Sequence, residues 1–194
     1  MRSLPSCKHL FSGRSLALAA ILALAGCAEG ADLPPLPPES SAAYHLGAGD
    51  ELRVITAGED QLSGDFHVSD AGNIAMPMLG VIKAAGMTPD QLSQEITQES
   101  ESREILKNPS VSVEVVNYRP IFVLGEVNKP GQYPYQPGMT VLTAVSVAGG
   151  FTYRAVESYA SVVRDVDGHS TEGKVKRQTL LQPGDVLTVF ERHF

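Results

Sequence analysis

The second half of this chain takes its predicted fold from residues 119–150, RPIFVLGEVNKPGQYPYQPGMTVLTAVSVAGG. Its apolar, β-branched run IFVL is typical of a strand, the sequence NKPG predicts a turn, and QYPY follows as a second extended piece. Thr140 is placed to cap a short helix over 141–148, which the pair GG closes. Two strands followed by one short helix therefore open a predicted α+β unit.

The remaining C-terminal sequence adds strands to this unit. Three further strands are predicted after the helix, over residues 161–166, 174–180 and 186–190. Asp167 and Gly168 supply a turn between the first two of them. Strands gathered around one short helix predict a β-grasp arrangement for residues 118–194.

The preceding 74 residues, 44–117, predict a smaller α+β unit made of strands and one amphipathic helix. Thr88, Pro89 and Gln91 form a helix start with a capping box, and the helix is predicted to end near Lys107. The segment that follows alternates Val with polar residues, which is typical of a half-buried strand. The other predicted strands lie over residues 51–56, 66–68, 74–78 and 79–82.

The first 26 residues have the three parts of a lipoprotein signal peptide. Arg2, Lys8 and Arg14 form a basic start, and residues 16–25 form an apolar run shorter than the ~20 residues that a membrane-spanning helix needs. The run leads into Leu-Ala-Gly-Cys, which resembles a lipobox with cleavage between Gly26 and Cys27. We therefore expect Cys27 to be acylated and to anchor the protein stably in a membrane.

Residues 27–43 are predicted to connect the acylated Cys27 to the folded part as a Pro-rich tether. Four prolines between residues 34 and 38 favour an extended, polyproline-like chain. The alternative is an ordered segment packed on a folded unit. Ala28 lies where inner-membrane lipoproteins of enterobacteria carry Asp, which predicts an outer-membrane location facing the periplasm.

Charge and cysteine content exclude several classes of function. Three of the 15 basic residues and none of the 22 acidic residues lie in the signal peptide, so the mature part carries 12 basic residues and a net charge of −10. Such a surface repels phosphate backbones, which argues against a nucleic-acid partner. Only Cys7 and Cys27 are present, so the mature part is predicted to have no disulfide and no cysteine metal site.

Longer motifs resemble a known family. Residues 44–54, 62–64, 74–80 and 86–92 resemble the polysaccharide biosynthesis/export domain, and residues 119–150 with QPGDVLTV at 182–189 resemble the soluble-ligand-binding β-grasp (SLBB) domain. The chain is thus similar to the outer-membrane polysaccharide export (OPX) lipoprotein family, of the Wza- and GumB-like kind. Ala48 departs from the Pro that is usual in this family.

The resemblance implies a ring-forming homo-oligomer that passes exopolysaccharide or capsule outward from an inner-membrane polysaccharide copolymerase. Larger relatives continue into a membrane-spanning helix, whereas this chain stops at Phe194. We therefore expect a separate outer-membrane barrel as a further candidate partner. The alternative function is that of a monomeric periplasmic lipoprotein that binds a soluble ligand.

No constellation of residues predicts catalysis, so we expect no enzyme, no cofactor and no metal. The histidines are scattered, no Gly-rich phosphate loop or GxSxG motif occurs, and Asp165 and Asp167 flank a turn. Candidate contacts with glycan or with other subunits are aromatic and planar cationic side chains, because these stack on sugar rings. They are Tyr118, Arg119, Tyr133, Tyr135, Tyr153 and Arg154.

A short, weak sequence similarity links the two predicted units. LGAGDELRV at residues 46–54 and LQPGDVLTV at 181–189 both place Gly-Asp directly before a strand. A carboxylate at such a position accepts backbone N–H groups of the turn. We therefore assign Asp50 and Asp185 to structure rather than to catalysis.

Overall fold

Two separate hydrophobic cores organise the chain. The computed structural model describes residues 30–37, 44–166 and 169–192. Buried residues between Leu46 and Val113 form the first core, which defines the N-terminal unit. Buried residues between Ile121 and Val189 form the second core, which defines the C-terminal unit. The protein is α+β, as predicted, while the division after residue 117 stays a prediction.

The N-terminal unit contains a three-stranded antiparallel sheet with strand order β2-β1-β5 and a separate hairpin of β3 and β4. In β1, Leu52 and Val54 point into the core while Arg53 and Ile55 point outward, the alternation expected of a half-buried strand. Pro77 lies in the turn between β3 and β4, where its missing N–H is not needed. The strands are β1 Glu51–Thr56, β2 Gly64–His67, β3 Asn73–Met76, β4 Gly80–Lys83 and β5 Val111–Asn117.

Helix α1, Pro89–Ser102, begins at the predicted capping box. The Thr88 hydroxyl accepts from the backbone N–H of Gln91, whose side chain accepts in turn from the N–H of Thr88. The prediction that the helix runs to about Lys107 was wrong. It ends at Ser102 because the chain soon enters the left-handed region at Glu104, with φ 57°.

The C-terminal unit has a five-stranded sheet with order β7-β6-β10-β8-β9 and one short helix, α2 Val141–Val147. Only the central pair of this sheet, β6 and β10, is parallel. Its first strand thus lies beside its last, which is the arrangement of a β-grasp. The strands are β6 Ile121–Gly125, β7 Gly131–Tyr133, β8 Ala160–Val166, β9 His169–Val175 and β10 Val186–Val189.

Strand β9 lies earlier in the sequence than predicted. A strand was predicted over 174–180, but the register from Ala160↔Val175 to Val166↔His169 pairs the largely polar residues His169–Val175 with β8. Pairing with β8 fixes the position of this strand. The predicted turn residues Asp167 and Gly168 lie outside the described residues. Residues after Val175 form a turn, in which the Thr179 N–H donates to Lys176 O at 3.0 Å.

Residues 30–37, which we name the strap, pack on the C-terminal unit. Leu36 N–H donates to Lys174 O at 3.0 Å, and Lys174 N–H donates to Pro34 O at 2.8 Å, so the strap pairs with the outer edge of β9. Leu36 packs against the second core, and Gly30 lies against the Phe190 ring. Residues 30–37 therefore pack as the alternative of an ordered segment describes, while the tether over 27–43 as a whole stays a prediction. Gly26 and Cys27 lie outside the described residues.

Candidate functional site at the junction of the two units

Asp50 is the centre of the contact between the two units. It directly precedes β1 and its side chain is fully buried. Its Oδ2 accepts from the Tyr44 hydroxyl at 2.6 Å and from the Gly47 N–H at 2.8 Å, which closes the turn before the strand. Its Oδ1 accepts from the Arg119 N–H at 2.9 Å, where the chain enters the second unit. One carboxylate therefore accepts hydrogen bonds from donors of both units.

Arg119 completes this contact from the other side. Its guanidinium lies 3.5 Å from Asp50 Oδ2, and its Nε donates to Pro183 O at 3.0 Å, in the turn before β10. A Cβ at Gly184 would lie 2.9 Å from Arg119 Nε, and Gly184 has a φ of 88°, which other residues rarely adopt. The guanidinium is thus held between a carboxylate of the N-terminal unit and a carbonyl of the C-terminal unit.

Three tyrosines extend the junction. The rings of Tyr44 and Tyr118 meet edge to face at 5.1 Å, and those of Tyr118 and Tyr135 meet at 5.5 Å. Arg119 lies 5.8 Å from the centre of the Tyr44 ring. Burial, followed by the hydrogen bond to Asp50, raises the pKa of Tyr44 well above its usual value. The phenol therefore stays protonated and donates to Asp50.

The predicted structural role of the two Gly-Asp turns is confirmed. Asp185 repeats the Asp50 turn, because its Oδ2 accepts from the N–H three residues earlier, that of Gln182, at 2.7 Å. Asp185 is buried and pairs with both Nε and Nη2 of Arg164, at 2.9 and 2.7 Å. The two turns differ in the unit that supplies the arginine. Arg164 belongs to the same unit as Asp185, whereas Arg119 joins Asp50 to the other unit.

The six candidate contact residues do not form one site. Tyr118, Arg119 and Tyr135 come together at the junction, but Tyr133 packs against the second core and donates its hydroxyl to Lys129 O. Tyr153 and Arg154 lie apart from these four, in a segment where Arg192 N–H donates to Arg154 O and Ala155 pairs with Glu191.

Tyr153 and Arg154 differ in how their side chains are held. Tyr153 is 87% exposed, whereas Arg154 is ion-paired with Glu191. A role for any of the six residues in binding glycan or another subunit stays a prediction.

The outer face of the N-terminal sheet is polar and ordered. Arg53 on β1 donates from Nε and Nη2 to the two oxygens of Asp65 on β2, at 2.8 and 3.0 Å. This forked hydrogen bond lowers the pKa of Asp65. Glu51 accepts from Asn117 on β5. The face therefore presents ordered charged groups to water beside the exposed Ile55.

Sequence reasoning found Asp50 and Arg119 separately but missed that they meet. Tyr44, which is 75 residues from Arg119, was not recognised as a junction residue. The two Gly-Asp turns could have indicated this contact, because a carboxylate that is buried at such a turn needs a cationic or N–H partner. In the part of the chain that the structure describes, no cluster of His, Cys, Asp and Glu could hold a metal ion. Nor does any helix of that part have the length and hydrophobicity to cross a bilayer.

Comparison with known families agrees with this two-unit architecture. A family described as polysaccharide biosynthesis/export protein matches residues 38–116, and the SLBB domain matches residues 120–176. The chain belongs to the polysaccharide biosynthesis/export family and carries an SLBB domain. The boundary between the two matched ranges, residues 116–120, includes Arg119 of the junction.

Individual relatives in this export family cover much of the chain. It is 36% identical over 144 residues to the exopolysaccharide production protein ExoF of Rhizobium meliloti, which is 69% of this chain and 34% of ExoF. It is 33% identical over 160 residues to the EPS I polysaccharide export outer membrane protein EpsA of Ralstonia solanacearum, which is 77% of this chain and 41% of EpsA.

A third relative is matched over a shorter range. The polysialic acid transport protein KpsD of Escherichia coli is 31% identical over 110 residues, which is 55% of this chain and 19% of KpsD. The chain therefore spans well under half the length of these relatives.

Proposed function

We propose that the protein is a periplasm-facing, lipid-anchored protein of the outer membrane that exports exopolysaccharide or capsule as a subunit of a ring-forming translocon. Membership of the polysaccharide biosynthesis/export family is the observation that carries this proposal. Relatives named for exopolysaccharide production, for polysaccharide export at the outer membrane and for polysialic acid transport support it. The proposed role is transport, with no catalytic step.

The proposed membrane attachment rests on the N-terminal sequence. A basic start, an apolar run and Leu-Ala-Gly-Cys in register support acylation of Cys27. The name of EpsA, an outer membrane export protein, supports the proposed membrane. Acyl chains contribute ~0.8 kcal/mol per buried CH₂, so several chains on one residue are a sufficient anchor.

The junction suits a subunit that must keep its shape within a ring. Asp50 is fully buried and is shared between the two units, and Arg119 ties it to the turn at Pro183. Buried charged hydrogen bonds of this kind are costly to break, since each leaves an unpaired group out of water. We therefore expect the two units to move as one body when neighbouring subunits pack.

Exposed apolar side chains on both units are candidate subunit contacts. Phe122 and Leu124 on the outer face of β6 are 39% and 44% exposed, and Met78 and Val81 in the β3–β4 hairpin are 60% and 69% exposed. Strands β2, β5 and β7 end their sheets, so their edges offer hydrogen-bonding groups to a neighbour. These surfaces could join copies of the chain into a ring.

The proposed partners follow from this role. They are further copies of the chain, an inner-membrane polysaccharide copolymerase, the exported polysaccharide and a separate outer-membrane barrel. The net charge of −10 in the mature part keeps an anionic polymer from adhering to the protein, which is compatible with its passage.

Deletion of the gene tests the proposal directly. We expect secreted polysaccharide to be lost or strongly reduced while lipid-linked repeat units are still assembled. Complementation with the natural gene should restore secretion. Normal secretion in a deletion strain without a paralogue would contradict an export role, and loss of repeat-unit synthesis would indicate an enzyme instead.

The mass of the mature protein in mild detergent separates the ring from the alternative function. A ring subunit should give a multiple of the monomer mass by light scattering. A strictly monomeric protein that binds a soluble ligand would favour the periplasmic binding lipoprotein.

A further inference from the structure

The C-terminal unit has two opposite ends, which the parallel strands β6 and β10 define. Both strands start at the junction, where Gly184 N–H donates to Pro120 O at 3.1 Å. Both end about 13 Å away, at ~3.3 Å per residue, where Glu126 N–H donates to Val189 O. We name this second end, formed by Glu126, Phe190 and their neighbours, the distal end. The N-terminal unit is attached at the other end.

The strap begins at the distal end. Gly30 lies so close to the Phe190 ring that a Cβ could not fit between them, and Lys174 Nζ donates to Ala31 O at 2.6 Å. Cys27 precedes Gly30 by three residues, which span at most about 11 Å. This reach is shorter than the ~13 Å between the two ends, so an acyl group on Cys27 can enter a membrane that lies against the distal end.

Tyr153 lies at the same end. Thr152 N–H donates to Glu126 O at 3.1 Å, and Arg192 N–H donates to Arg154 O at 2.7 Å, so the Tyr153 loop pairs with the segment that follows Phe190. Tyr153 is the most exposed large hydrophobic or aromatic side chain of the described residues, at 87%. Arg192 is exposed beside it and donates from Nη2 to Ala155 O.

We propose that Tyr153 and Arg192 form a lipid-contact site that rests in the headgroup layer of the membrane holding Cys27. A tyrosine ring is apolar with a polar tip, and such rings concentrate at the boundary between membrane and water. A guanidinium donates paired hydrogen bonds to phosphate oxygens of the headgroups. The site orients the C-terminal unit with its distal end on the lipid and the N-terminal unit away from it.

This inference rests on the proposed acylation of Cys27, and it gives Tyr153 a role other than glycan binding. The position of the strap favours lipid rather than glycan as the partner of Tyr153. Cys27, the proposed anchor, is only three positions before Gly30, which lies at the distal end. Without the anchor, the mature charge of −10 would give no general attraction to anionic lipid. The contact therefore positions a protein that is already anchored.

A tryptophan reporter tests the contact, because the chain contains no Trp. Tyr153→Trp is made in the mature, acylated protein, which is reconstituted into phosphatidylcholine vesicles. We expect a blue shift of its emission and quenching by lipids brominated near the headgroup. Asp70→Trp is the matched control, because Asp70 is exposed in a turn of the N-terminal unit and should keep the emission of a Trp in water.

Four outcomes overturn the inference in distinguishable ways. Failure of the protein to float with the vesicles overturns the anchor and the contact together. Flotation with water-like emission from Tyr153→Trp overturns the contact alone and leaves the export proposal standing. Equal quenching at Asp70→Trp overturns the orientation, because the N-terminal unit would then also touch the lipid. Quenching of Tyr153→Trp by added polysaccharide rather than by lipid would assign the residue to glycan binding.

Discussion

Asp50 and Arg119, which belong to different units and are 69 residues apart in sequence, share a hydrogen bond of 2.9 Å from backbone N–H to carboxylate and a charged contact of 3.5 Å. The carboxylate is fully buried, so it cannot exchange these donors for water. Its Oδ2 also closes the turn before β1 by accepting from Tyr44 and Gly47. The folding of the N-terminal unit and its attachment to the C-terminal unit therefore depend on one side chain.

Asp50→Asn should lower the free energy of unfolding by about 1–3 kcal/mol. Both carboxylate oxygens accept hydrogen bonds, whereas an amide has one oxygen and a donating NH₂ group that would face one of the buried donors. Urea unfolding followed by circular dichroism measures the loss. Asp70→Asn, at an exposed turn position, is the matched control. Equal stability of the two variants would show that Asp50 does not hold the junction.

Tyr44 should make the protein less stable at alkaline pH. Its pKa is raised in the folded state by burial and by its hydrogen bond to Asp50, so above about pH 10 the unfolded chain loses this proton while the folded chain keeps it. Its contribution to stability is therefore complete below that pH and declines as the pH rises further. Tyr44→Phe should remove this decline, which unfolding at a series of pH values measures. Tyr153→Phe, which removes an exposed phenol, is the control.

Arg164→Met should cost about 3–5 kcal/mol, because it leaves the Asp185 carboxylate buried without its cation. The side chains of this pair are only 7% and 1% exposed. Arg53→Met removes an ion pair of similar geometry with Asp65, but there the side chains are 49% and 44% exposed, so water replaces the lost partner. Thermal unfolding of both variants compares the pairs, and a loss as large for Arg53→Met would contradict the role of burial.

Local chemistry made much of the fold predictable. The capping box at Thr88 and Gln91, the strand over 51–56 and the apolar strand at 121–124 each depend on neighbours in sequence, and each was confirmed. The end of α1 was misplaced because Ile105 and Leu106 continue the apolar pattern, although they pack on the core from outside the helix. Hydrophobic spacing alone does not distinguish these two situations.

Contacts between distant segments could not be predicted from the same rules. The pairing of Lys174 with Pro34 and Leu36 depends on how the finished sheet exposes the edge of β9, and prolines indicated only an extended chain. Likewise, Tyr118 and Arg119 were chosen as candidate contacts by residue type, and the structure places both half-buried against Tyr44. The residue types indicated that these side chains make contacts, but the partners of those contacts follow only from the three-dimensional arrangement of the strands.

Cys27→Ser should leave the precursor unprocessed or mislocalised, because serine lacks the thiol that receives the lipid. Membrane fractionation and mass spectrometry measure location and processing. As a complement, the mature chain without its acyl group should be soluble without detergent. Normal mass and normal outer-membrane partition of the Cys27→Ser protein would disprove lipid anchoring at this residue.

Gly173→Ala should detach the strap from β9. A Cβ at residue 173 would lie 2.5 Å from the Leu36 Cα, and this backbone atom cannot move aside unless the strap lifts. Lifting would break the two backbone hydrogen bonds between Lys174 and the strap, each contributing about 0.5–1.5 kcal/mol, and would expose Leu36. We expect faster hydrogen exchange at Leu36 and faster proteolysis within 30–37. Gly131→Ala is the matched control, because no atom lies within 4 Å of its added Cβ. If exchange at Leu36 is the same in both variants, the strap is not held by β9.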